Sequence, residues 1–235
     1  MDVLREIRSV IDALHVDWAA SRLALELDGE DLIITGEVRD VAMKKRILRR
    51  VAALPAVSGI VDRLHTVPAE HMSDAEIRDH VSRALLAEPV LRECALISRN
   101  GEERVDRAQS PASKGLVELS VSDGIVTLDG DVPSLTHRRL AGVLAWWVPG
   151  SRDVVDALGV VPPEEDNSDE MLDAIRLVLE KDPFVDASKV SAAVEGGTVT
   201  LRGLVPSEPE RDMAEQDVFY VLGVDEVSNE IEVQA

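Results

Sequence analysis

The chain has 235 residues, 45 acidic against 25 basic side chains, a formal net charge of −20 and only 3% aromatic residues. So acidic a surface repels nucleic-acid phosphates and anionic headgroups, and nucleic acid is not an expected partner. The single cysteine, Cys94, excludes an internal disulfide, and no run of about 18 apolar residues occurs that would cross a membrane as a helix.

Residues 3 to 14 set Val3, Leu4, Ile7, Val10, Ile11 and Leu14 at helical spacing, which predicts a helix laid on a sheet. Two strands follow, Arg22 to Leu27 and Leu32 to Val38, joined by the turn Asp28-Gly29-Glu30-Asp31. A second helix is expected from Asp40, an N-cap residue, to Leu54, where Pro55 stops it. Its apolar side holds Val41, Met43, Ile47, Leu48, Val51 and Leu54, and the opposite side carries Lys45, Arg46, Arg49 and Arg50. That basic face is the candidate for an anionic partner, such as the acidic third repeat of a neighbouring copy; the alternative is an ordinary solvated face. A last strand, Ile60 to Leu64, ends the segment.

After a linker from Thr66 to Met72, Ser73-Asp74-Ala75-Glu76 has the form of a capping box, and Ile77, Val81 and Leu85 line one helix face up to Glu88-Pro89. An insertion of 21 residues then separates this helix from the next strand at Val117. Its polar, punctuated stretches, Arg99 to Arg104 and Ser110 to Gly115, fit a loop, an extra β-turn or disorder, and a surface excursion is expected. Val117, Leu119 and Val121 alternate as a half-buried strand does, and Ser122-Asp123-Gly124 turns the chain. Pro162 to Asn167 reads as a stiff acidic linker, after which Met171, Leu172, Ile175, Val178 and Leu179 mark another helix.

These elements form a threefold repeat. Gly36, Gly130 and Gly203 occupy one position, each two residues past an apolar strand residue, and Val117, Leu119 and Val121 match both Leu23, Leu25, Leu27 and Val190, Ala192, Val194. Twenty residues beyond the second and third of these glycines stand Gly150 and Gly223, with Ala56 in the first copy. Self-similarity at this period implies modules in tandem. The pattern is strand, Asp-Gly turn, Val-Thr-Leu-x-Gly-x-Val, a helix with Arg-x-x-Ala, then Val-x-Gly-Val-x-x-Val-x-Asn-x-Ile. It resembles the BON domain of bacterial osmotic-stress, nodulation and transport-associated proteins. Gly196 to Val233 fits closely and Asp123 to Leu158 nearly as well, whereas the first copy departs at Ala56, Ile47 and Lys44. The resemblance implies an α+β fold of three αββαβ domains, at 1–68, 69–161 with the insertion at about 90–115, and 162–235. Each is expected to set two helices on one face of a three-stranded sheet. It also implies phospholipid or membrane-surface association linked to osmotic or envelope stress.

Acidic against basic residues number 11 to 10, 15 to 10 and 19 to 5 in the three repeats, so the third carries most of the charge. Each second helix has a cation at one place, Lys44, Arg138 or Arg211, expected in a bridge inside its repeat or at a ligand. Four of the six aromatics form two matched pairs, Trp146-Trp147 and Phe219-Tyr220. Adjacent helical residues point about 100° apart, so one of each pair should be partly exposed and serve repeat packing, a lipid-facing patch or a partner groove. The five histidines have no metal spacing, and no nucleophile elbow, phosphate loop or dinucleotide fingerprint occurs, so neither cofactor nor catalysis is expected. The expected partners are phospholipid, a protein or a second copy. The N-terminus shows no apolar signal region, which places the chain in the cytoplasm, or in the periplasm if a leader has been removed. The rival reading is a cytoplasmic acidic scaffold or cation-responsive stress protein that binds no lipid.

Overall fold

The computed structural model describes residues 3–29, 31–100 and 102–234. The turn residue Glu30, the inserted Gly101 and the side chains of Asn100 and Glu102, named above, lie outside the described residues. By its internal packing the chain divides into two compact units, Met1–Val67 and Pro68–Ala235.

In the first unit, helix α1 (Val3–Asp12) precedes strands β1 (Ala24–Asp28) and β2 (Asp31–Val38), helix α2 (Val41–Ala52) and strand β3 (Gly59–Thr66). The sheet order is β1-β2-β3, antiparallel then parallel. Ile7 and Ile11 of α1 meet Leu32, Ile34 and Val38 of β2 and Ile47 and Val51 of α2 in a fully buried core. Asp40 caps α2 by accepting from the Met43 amide at 2.7 Å.

The second unit begins with α3 (Asp74–Ala87), capped by the reciprocal Ser73–Glu76 box and closed by the short 3-10 turn Pro89–Leu91. Strands β4 (Cys94–Asn100) and β5 (Glu102–Arg107) come next, then β6 (Gly115–Ser122), β7 (Ile125–Val132), α4 (Leu135–Trp146) and β8 (Asp153–Val160). Helix α5 (Ser168–Lys181), strands β9 (Val190–Glu195) and β10 (Thr198–Val205), helix α6 (Glu208–Tyr220) and strand β11 (Glu226–Val233) complete it. Helix, hairpin, helix, strand therefore occurs three times, and the registers agree. Leu25 faces Ile34, Leu119 faces Leu128 and Ala192 faces Leu201 across the hairpins. Asp31, Ile125 and Thr198 face Gly59, Asp153 and Glu226 across the parallel pairs.

The middle sheet corrects the expected three strands. It has five, in the order β5-β4-β6-β7-β8, because the insertion folds as a hairpin instead of a surface loop. Strand β4 alternates Cys94, Leu96 and Ser98, all at most 2% exposed, and pairs parallel with β6. Arg107 of β5 then donates to the carbonyls of Leu86, Leu91 and Cys94, at 2.9, 2.6 and 3.1 Å. Those carbonyls include groups that a helix end leaves without an intrahelical donor, so the hairpin gains apolar burial and also closes α3.

The strand glycine shared by the repeats has a backbone reason. Gly36, Gly130 and Gly203 adopt φ of 145°, 109° and 156°. A Cβ at each would strike a carbonyl oxygen where the preceding strand begins, that of Ser21, Leu116 or Lys189. A side chain there is both strained and obstructed.

Candidate functional site

The cations at the shared helix position lie inside their repeats. Lys44, 8% exposed, reaches Asp62 at 3.0 Å. Arg138 donates from Nε to Asp156 Oδ1 and from Nη2 to the Asp156 carbonyl, both at 3.0 Å. Each ties the second helix to the last strand, and burial raises the Asp156 pKa while Arg138 opposes the rise. In the third repeat the strand residue is Asn229, which donates to the Arg211 carbonyl and to Glu215, and Arg211 turns to its neighbour Asp212 at 2.9 Å. The bridge is thus lost where the acid becomes an amide.

The aromatic pairs meet between repeats two and three. Trp146 stacks on Tyr220, with ring centroids 5.5 Å apart and planes inclined by 9°. The Trp147 indole donates from Nε1 to Asp217 Oδ1 at 2.7 Å. Both tryptophans and Tyr220 are half-buried, but Phe219 is fully buried. Phe219 is therefore a core residue and corrects its expectation as a lipid or partner contact. The helix turns it inward while its neighbour Tyr220 is presented to α4.

Two further polar contacts join these repeats beside a buried acid pair inside the third, and none of these was expected from the sequence. Arg139, 1% exposed, donates from Nε to the Leu222 carbonyl at 3.0 Å and from Nη2 to Asp166 Oδ1 at 2.6 Å. Gly223 (φ 93°) makes room beside it, since a Cβ there would lie 3.4 Å from Nη2 and 2.9 Å from the Met171 methyl. Lys181 bridges to Glu88 at 2.9 Å, and Glu88 is 7% exposed. The Asp217 carboxyl is fully buried beside Asp182, which is 6% exposed. Burial and this second carboxyl push Asp217 up to about 8, against the opposing indole hydrogen bond. At neutral pH Asp217 therefore keeps its proton.

The acidic linker is part of the same interface. Glu164 accepts from the Leu135 amide at 2.8 Å, meeting the positive end of α4, and Asp166 holds Arg139. Glu164 is therefore tied to the start of α4 instead of serving only as linker charge. Gly150, the counterpart of Gly223, lies against Met72 and Ile77 of its own repeat.

On α2, Lys45 and Arg46 are half-buried, whereas Arg49 and Arg50 are exposed. Lys45, Arg46 and Arg49 each take part in a polar or electrostatic interaction within the protein. The expected basic face is consequently narrower than its sequence suggests. Among the described residues no group of three or more His, Cys, Asp or Glu side chains is arranged to hold a metal, and no helix is long and apolar enough to cross a membrane.

No curated protein matches the chain. Two solved structures of CdsD, a structural protein of the type III secretion system of Chlamydia trachomatis, are similar at 16% and 17% identity. Each covers 100% of this chain, over 98% and 93% of its own length, with a TM-score of 0.26. The BON domain model matches residues 104–162 and again 168–235. Those two segments take in more than half of the residues, and the chain belongs to the BON domain family.

Proposed function

We propose that the chain is a non-catalytic interaction protein of three BON domains, at 1–68, 69–161 and 162–235, the first of them divergent. It docks a cationic or protein partner on its acidic third domain and does not insert into lipid. The observation that carries this reading is the engagement of Trp146, Trp147, Phe219 and Tyr220 within the protein. The paired aromatics are thus already in use within the protein, which leaves Phe184 as the exposed aromatic of a domain that carries 19 acidic against 5 basic residues. A second reading, phospholipid association, is favoured by one feature: Arg49 and Arg50 stand exposed on α2.

Vesicle co-flotation with tryptophan fluorescence separates the two. The expected result is no flotation on neutral phosphatidylcholine vesicles. Any flotation on anionic vesicles should vanish in about 0.5 M salt and in the Arg49→Ala/Arg50→Ala variant. Salt-resistant flotation with a blue shift, lost in Trp146→Ala/Trp147→Ala, would overturn the proposal.

A further inference from the structure

The first unit has a cleft of about 380 Å³ between α1 and β1, walled by Leu4, Leu23, Leu25 and Trp18 and flanked by Arg5 and Arg8. Strand β1 is the edge of its sheet, and all of it but Leu25 is exposed. The ring of Trp18 is held by its Nε1 donating to Asp12 Oδ1 at 2.6 Å, and the Arg8 guanidinium lies 4.6 Å from the ring centroid. Apolar walls, a sheet edge and two cations at the rim, of which Arg8 is held on Trp18, thus converge in one place.

Repeat two shows what such an edge accepts. Its strand β6, the counterpart of β1, carries β4 on the same edge in parallel register, with Leu96 opposite Val117 and Ser98 opposite Leu119. Val117 and Leu119 match Leu23 and Leu25 in the repeat. The hairpin that brings β4 is tied to the overlying helix by Arg104, which reaches Asp79 of α3 at 2.7 Å. Across the corresponding cleft the sign is inverted: α1 presents Arg5 and Arg8. We infer that this cleft takes an extended acidic peptide segment of a partner protein, which pairs with β1 as an added strand. Main-chain hydrogen bonds to the edge would provide affinity, apolar residues would lie where Leu96 lies in repeat two, and carboxylates would meet Arg5 and Arg8. The site is separate from the acidic surface of the third domain and holds whether or not that surface has a partner.

The test is amide chemical-shift mapping on the full isotope-labelled chain with three blocked hexapeptides at up to about 1 mM. One alternates leucine and glutamate, one alternates leucine and lysine, and the third is the leucine-glutamate peptide N-methylated at alternate amides. The first should shift the amides of Leu23–Asp28 and α1, and the other two should bind at least about tenfold more weakly. Arg5→Glu/Arg8→Glu should weaken the first peptide by a similar factor, with the rest of the spectrum unchanged to show that the fold is intact. No shift at β1, or shifts confined to the second unit, would overturn the inference. Equal binding by the N-methylated peptide would also overturn it, because the cleft would then take an anionic amphiphile without strand pairing.

Discussion

Helices α2 and α4 hold the same place in their repeats, and both are capped at the same position, by Asp40 and by Ser134. They differ in what surrounds them. Helix α2 buries Val41, Lys44, Ile47 and Val51, one side only, and carries exposed arginines on the other. Helix α4 buries Leu135 and every residue from Arg139 to Ala145. A helix that is apolar all round must be covered all round, and α4 is covered by its own sheet on one side and by the third repeat on the other. The difference shows how one motif buries a single helix face within its own repeat in one case and serves as half of a joined pair in the other.

Breaking the contacts peculiar to α4 should therefore cost the second unit stability and leave the first unaffected. Arg139→Ala should have the largest effect, about 3 to 5 kcal/mol, because it leaves the Leu222 carbonyl and Asp166 without their donor and opens a void in the interface. Urea unfolding followed by Trp146 and Trp147 emission checks this, and Trp18 emission should report a first unit of unchanged stability.

The buried carboxyl pair should make the stability of the second unit depend on pH. Asp217 has a folded pKa of about 8, above the ordinary carboxylate value, so the folded state holds more protons than the unfolded state between about pH 4 and 8. Stability of the second unit should fall as pH rises through that window, by at most about 1.4 kcal/mol per pH unit from this group, and level off above it. Asp217→Asn keeps an acceptor for Trp147 and carries no charge at any pH. It should flatten the dependence and raise the midpoint at pH 8, as thermal unfolding from pH 5 to 9 will show. Trp146→Ala should cost less, about 1 to 2 kcal/mol, because the stacked ring is only half-buried. A urea midpoint lowered by that amount, with the first unit's midpoint unmoved, is the expected reading.

The repeat and its element order were legible in the sequence because they rest on local signals: period-two alternation, Asp-Gly turns and cap residues. The hairpin β4-β5 was not. Its outer strand, Glu102–Arg107, is mostly charged, and the parallel pairing of β4 with β6 links segments about twenty residues apart with no helix between them. The joint between repeats was half legible. Matched aromatic pairs pointed to packing between repeats, but Arg139 looked like any helix cation beside Arg138. Asp182 and Asp217 looked like two more charges among 45 acidic residues. The signal that could have found them is the run Leu140 to Val148, apolar on every side of a helix, which requires a second covering surface.

Hydrogen exchange read by mass spectrometry, on the wild type and on Arg139→Ala, tests most directly whether α4 joins repeats two and three into one cooperative body. The expected result is that α4 and α6 share one level of protection and lose it together in the variant, while α1 and α2 keep theirs. Protection of α6 unchanged by Arg139→Ala would contradict it, because the third repeat would then be standing without the joint.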